Sequence, residues 1–140
     1  MNGCEEVLIM KKTTLINSQI SGIIAKMGHF DTLTIGDAGL PVPSGPERID
    51  LALKKGIPAF LDVLTAVLTE LEVQRVFIAS EMQQSNARLY EQMTQLFADI
   101  EIIEVPHEAF KALTNDSKAV VRTGECRPYA NIILESGVTF

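Results

Sequence analysis

The stretch QRVFIASEMQQSNARLYEQMTQLFADIEIIEVPH, residues 74–107, decides the fold. Its opening QRVFIAS is rich in β-branched and aromatic side chains and reads as a strand, and its closing IEIIEVPH reads as another. Between them Ser80 stands three residues before Gln83 in the form of a capping box, which opens a helix predicted through EMQQSNARLYEQMTQLFAD. Strand, long helix and strand in succession make the unit of parallel pairing, because a parallel crossover needs a dozen or more residues.

The alternation continues outward on both sides. Upstream, NSQISGIIAKMG sets Ile20, Ile23, Ile24 and Met27 at i, i+3, i+4 and i+7, with Asn17 or Ser18 as cap and Gly28 as close, so a helix is expected. DTLTIGDAG follows as a β-branched strand opening into a loop. In IPAFLDVLTAVLTEL, Pro58 suits a first helical turn, and Ile57, Leu61, Leu64, Leu68 and Leu71 keep one apolar face. Glu47, Arg48, Asp50, Lys54 and Lys55 look like a solvated helix face. Downstream come a short helix, HEAFKALTN, and two strand-like runs, KAVVRTG and NIILESGV, joined by the polar loop ECRPYA. The expected fold is a single-domain, three-layer α/β/α arrangement around a mostly parallel sheet. Ligands in such sheets collect at the carboxyl edge of the strands, which points to the loops after Ile35, after Val105 and before Asn131.

The 140 residues suffice for one domain that buries roughly two thirds of its unfolded surface. Twelve basic against eighteen acidic residues give a net charge of −6, which disfavours nucleic acid or an anionic membrane as partner and suits a neutral small molecule or another protein. No apolar run reaches the ~20 residues of a membrane-spanning helix. The opening MNGCEEVLI has two glutamates and no basic region, so no secretory signal is read there and the cytoplasm is the expected location. Residues 1–9 precede a second methionine, Met10, and read as an upstream extension or cloning remnant ahead of a domain spanning 10–140. Cys4 and Cys126 form neither a disulfide framework nor a metal-ligand spacing.

The chemistry-bearing residues sit at element boundaries. His29 and His107 can exchange protons near neutral pH, although each could equally be a solvated or helix-capping histidine. Asp37, in GDAGLPVP, has glycines on both sides, where a carboxylate can accept sugar hydroxyls or simply close a turn. Tyr129 and Asn131 bracket Ala130 and offer a ring, a hydroxyl and an amide, or a plain tight turn. No phosphate-binding glycine motif is present. A metal shared by His29, Asp37 and His107 lacks any local ligand spacing. From His29 to Asp37, eight residues of straight strand would span roughly 26 Å at ~3.3 Å per residue, too far for one monosaccharide. Either the ends fold back around a short strand, or two copies of the chain share the site.

Four segments resemble the ribose pyranase and fucose mutarotase family: MKKTTLINSQISGIIAKMGHFDTLTIGDAGLPVP, RIDLALKKGIPAF, VPHEAFK and RTGECRPYANIILESGVTF. The resemblance runs from Met10 to Phe140 and is weakest over SEMQQSNARLYEQMTQLFADIE. It implies a ribose pyranase-like fold and interconversion of the pyranose and furanose rings of D-ribose without a cofactor or metal. It further implies a ring-shaped homo-oligomer, a decamer of two pentameric rings, with sites at subunit contacts. By resemblance His29 is the proton donor, and Asp37, His107, Tyr129, Ala130 and Asn131 contact the sugar. DAGLPVP favours ribose over fucose. Two rivals stand beside it: a non-catalytic sugar-binding accessory using the same pocket, and a scaffold whose assembly is its function, with the His29 and Asp37 region buried at contacts.

Overall fold

The computed structural model describes residues 9–140, so the expected extension lies, but for its last residue, outside the described residues, and Cys4 with it. In chain order the elements are α1 (Ser18–Lys26), β1 (Thr32–Gly36), β2 (Glu47–Asp50), α2 (Phe60–Leu68), β3 (Val73–Ala79), α3 (Met82–Ser85), α4 (Ala87–Leu96), β4 (Glu101–Val105), α5 (His107–Leu113), β5 (Ala119–Arg122) and β6 (Ile132–Ser136). The six strands form one sheet in the order β2-β5-β1-β6-β3-β4. Five run the same way. Only β6 is reversed, wedged antiparallel between β1 and β3.

Alternation along the strands sorts side chains onto two faces. Leu33, Ile35, Val76, Ile78, Ile132 and Leu134 join α1, α2, α3 and α4 in the main core. Val120 and Ile133, with the partly buried Phe77 and Val105, meet Phe110 of α5 on the opposite face. That is the three-layer arrangement expected from the sequence, with one layer reduced to a single short helix. Asn17 caps α1 as predicted, its Oδ1 accepting the Ile20 N–H at 2.9 Å.

Three local expectations are corrected. Glu47, Arg48 and Asp50 do not lie on a helix; they form the edge strand β2, in parallel register with β5, where only Ile49 turns inward. Charged side chains on such an edge discourage further strand addition. Lys54 pairs instead with Ile57 in a turn. Secondly, α2 starts at Phe60 rather than near Pro58, because the Ile57 carbonyl accepts the Leu53 N–H and that of Pro58 accepts the Gly124 N–H. Its buried face is therefore Phe60, Val63, Leu64 and Val67, and Ile57 is exposed. Burying each of these side chains contributes about 1.5–3 kcal/mol. Thirdly, the long helix after β3 is two helices broken at Asn86, whose φ of −149° leaves the helical region. Its Nδ2 donates to the Pro128 carbonyl at 3.0 Å. The capping box does not form, since the Ser80 hydroxyl turns to Glu81 and the Ser80 N–H donates to the Val105 carbonyl.

Candidate functional site

At the carboxyl edge of β1, the chain leaves the sheet through Gly36 and, after Asp37, turns at Ala38 and Gly39. The Asp37 Oδ1 accepts the Gly39 N–H at 3.0 Å, and the Asp37 N–H donates to Asn131 Oδ1 at 2.8 Å. Gly36 allows this approach: a Cβ there would lie 2.5 Å from Leu40 Cδ2 and 3.1 Å from Asn131 Oδ1. The loop is held from below by the Ala38 N–H on the Glu125 carbonyl and by Arg122 Nε on the Ala38 carbonyl.

Because β6 runs backwards, its first residues arrive at this same edge. Asn131 and Ala130 are buried there, and Tyr129 precedes them in a left-handed conformation with φ of 57°. Two strands beyond β6 in the sheet, β4 ends at Val105 and α5 opens with His107. The His107 ring meets Tyr129 edge-on, centroids 5.1 Å apart, and stacks on Phe110 at 6.2 Å. Its backbone N–H is clamped by both Glu81 carboxylate oxygens, at 3.0 and 3.2 Å. The His107 Nδ1 is buried without a hydrogen-bond partner among the described residues.

Asp37, His107, Tyr129 and Asn131, with Leu40, Pro41 and Pro128, line one cleft of about 260 Å³. That is below the ~300–1,000 Å³ of pockets for drug-sized ligands and suits a single sugar ring. Burial raises the Asp37 carboxyl above its ordinary value, opposed by hydrogen bonds from Gly39, Asn131 and Leu40 and by the charge of His107.

His29 is not there. It precedes β1, at the other edge of the sheet, where the Phe30 N–H donates to the Ser136 carbonyl and the Ser136 N–H to that of Asp31. β1 is short and has a turn at each end, but the turns do not bring the ends together. Exposed His29 borders a second cleft of about 470 Å³, lined by Met27, Glu70, Glu72, Val138 and Phe140. Of the six residues singled out by the sequence, five therefore cluster, Ala130 as buried backing, and one stands apart.

Sequence reasoning missed Glu81 and Glu125. Glu125, only 5% exposed, accepts the Phe60 N–H at the start of α2 on Oε1 and the Arg127 Nε on Oε2. It thus ties the loop before Tyr129 to a core helix. Neither has a local signal for this role, because the backbone N–H that each carboxylate clamps lies 26 or 65 residues away along the chain.

Residues 10–139 match the family model described as the RbsD / FucU transport protein family. The D-ribose pyranase of Pediococcus pentosaceus is 55% identical over 131 residues, covering 94% of this chain and 100% of that protein. That of Thermoanaerobacter sp. is 53% identical over the same shares. Among solved structures, Bacillus subtilis RbsD complexed with D-ribose superposes with a TM-score of 0.91 at 48% identity, covering 94% of this chain and 100% of that one. The fucose mutarotase of Streptococcus pneumoniae, in complex with L-fucose, shares the fold at a TM-score of 0.75 and 23% identity, over 89% of this chain and 95% of that one. With a family match over nearly its whole length and relatives above half identity, the chain belongs to the RbsD / FucU family.

Proposed function

We propose that this protein is a D-ribose pyranase, an isomerase that interconverts the pyranose and furanose forms of ribose, and that its active site is completed by a second copy of the chain. The observation that carries the reading is the cleft in which Asp37, His107, Tyr129 and Asn131 converge, in a chain more than half identical to D-ribose pyranases along their full length. Ribose is favoured over fucose because the ribose-bound relative is 48% identical and the fucose-bound one 23%.

Ring opening breaks the C1–O5 bond of the pyranose. O5 takes a proton, and the anomeric hydroxyl gives one up as C1 becomes an aldehyde. Attack of O4 on C1 then closes the furanose, with O4 losing its proton and O1 regaining one. An imidazole suits the acid role near neutral pH. In this reading His29 protonates O5, Asp37, His107 and Asn131 hold the hydroxyls, and Tyr129 lies beside the ring backed by Ala130. No step calls for redox chemistry or an activated nucleophile.

His29 belongs to a neighbouring copy in this reading, since β1 separates it from Asp37 within one chain. Support for self-association comes from the surface around His29, where Phe30, Val138 and Phe140 are exposed. Apolar side chains gathered near a functional group are a mark of an interaction surface. A ring-shaped homo-oligomer closes every such contact. Among the described residues no helix is long and apolar enough to cross a membrane, and a cytoplasmic location goes with this reading.

Saturation-transfer proton NMR on D-ribose at equilibrium tests the proposal. Added protein should speed magnetisation transfer between the pyranose and furanose anomeric signals, and His29→Ala should abolish the acceleration. A folded oligomer that leaves the transfer rate unchanged would be a sugar-binding accessory instead.

A further inference from the structure

His29 does not hang free in its cleft. Its Nε2 lies 2.8 Å from Gln74 Oε1, and Gln74 Nε2 donates to Glu135 Oε2, also at 2.8 Å. Glu135 is only 7% exposed, and Arg75 Nη1 stands 3.6 Å from the same oxygen. On its face the imidazole is stacked by Phe30, ring centroids 3.9 Å apart and planes within 11°. Phe30 holds this place with a φ of 75°, a conformation costly for a bulky side chain and therefore imposed by its surroundings. Its N–H is fixed by the Ser136 carbonyl.

The direction of each bond follows from donor chemistry. A carboxylate beside a guanidinium only accepts, so the Gln74 amide must present NH₂ to Glu135 and its carbonyl to His29. A carbonyl has no proton to give, so the ring nitrogen facing it must carry one. Neutral His29 is thereby the Nε2–H form, and Nδ1 is the nitrogen whose proton comes and goes. We infer that Gln74 and Glu135 are positioning residues that fix the His29 tautomer, so that the proton exchanged with the sugar moves through Nδ1.

The arrangement balances over one turnover. Imidazolium Nδ1–H gives its proton to O5 as the C1–O5 bond breaks, leaving the Nε2–H tautomer that Gln74 already stabilises. Had the other tautomer been favoured, the ring would have to rotate about χ2 or exchange protons with solvent between steps. The relay spans elements that meet only in the fold: Gln74 on β3, Glu135 on β6 and His29 before β1.

The inference rests on the proposed role of His29, and the test separates the two. Protein labelled with ¹⁵N in its two histidines, with His29 assigned by loss of its signals in His29→Ala, is observed by solid-state NMR in its neutral-imidazole form. We expect a protonated Nε2 and a bare Nδ1 in the wild type. Gln74→Ala should give mixed tautomers and lower the ribose exchange kcat by roughly tenfold, a fraction of the ~10²–10⁴ that a positioned acid supplies, with KM within a factor of two. A protonated Nδ1 in the wild type, or unchanged spectra and kcat in Gln74→Ala, overturns the inference. The tautomer signature does not depend on activity, so His29→Ala with full exchange alongside the expected spectra would strike down the proton route to the sugar and the acid assignment together.

Discussion

If His29 and Asp37 of one site come from different copies, two inactive variants should repair each other. The strand Thr32–Gly36 alone separates its end Cα atoms by about 13 Å at ~3.3 Å per residue, and both residues lie beyond those ends. One sugar ring with a ~2.8 Å hydrogen bond on either side reaches roughly 10 Å. His29→Ala should lower exchange by ~10²–10⁴-fold through loss of the acid. Asp37→Asn should lower it by about 10–100-fold through loss of a charged hydrogen bond. Co-expressed in equal amounts with different tags and purified through both, the two chains assemble at random. A site then draws His29 from an Asp37→Asn chain and Asp37 from a His29→Ala chain with probability one half times one half. About a quarter of sites should be intact, giving about a quarter of wild-type exchange by ribose NMR. A co-assembled sample no more active than the average of its parents would place both residues of each site in one chain and refute the shared site.

Gly124→Ala should cost more than about 2 kcal/mol, because a Cβ there would fall 2.3–2.7 Å from the Ile57 backbone, which cannot swing aside as a side-chain tip can; urea midpoints would measure the loss. Two carboxylates should pull stability in opposite directions with pH, read by urea midpoints at fixed protein concentration. Glu125 is held below its usual 4.5 by Arg127 first and by the Phe60 N–H as well, so its contribution is complete above 4.5 and lost as pH falls through the lower folded value. Glu125→Gln should flatten that acid-side loss. Asp37 is raised from 3.8 by burial, so its contribution is complete below 3.8 and lost as pH rises through the folded value. Asp37→Asn should therefore be more stable than the wild type at pH 7 while being less active, the mark of a carboxylate kept for function.

The alternation of strand and helix was legible because each element carries its own period. The apolar spacing of Ile20, Ile23, Ile24 and Met27 fixes α1 by itself, and the β-branched core of β1 and β3 needs no partner to be read. Where the reading slipped, the deciding contact was distant in sequence. Asn86 breaks a helix that its own neighbours would continue, because its amide is drawn to Pro128, 42 residues away. Pro58 suits a first helical turn, yet its carbonyl is taken by Gly124 and the helix waits for Phe60, whose N–H is capped by Glu125. The five charges of ERIDLALKK gave no sign of an edge strand, since only Ile49 is buried there.

The site was half legible for a related reason. Residues at strand ends can be picked out by type, but which edge of the sheet they reach depends on strand direction, and nothing in NIILESGV states that β6 runs against its neighbours. That reversal puts Asn131 beside Asp37 and, at the far end of the same strand, Ser136 beside Phe30. One strand thus holds the Asn131 amide in the cleft at one edge and anchors the turn bearing His29 at the other. Glu135, a single residue before that anchor, steadies Gln74 and through it the imidazole. A chain built this way can make both halves of a site rigid and still be unable to join them. The proposed chemistry then depends on presenting the His29 edge of one copy to the Asp37 edge of the next.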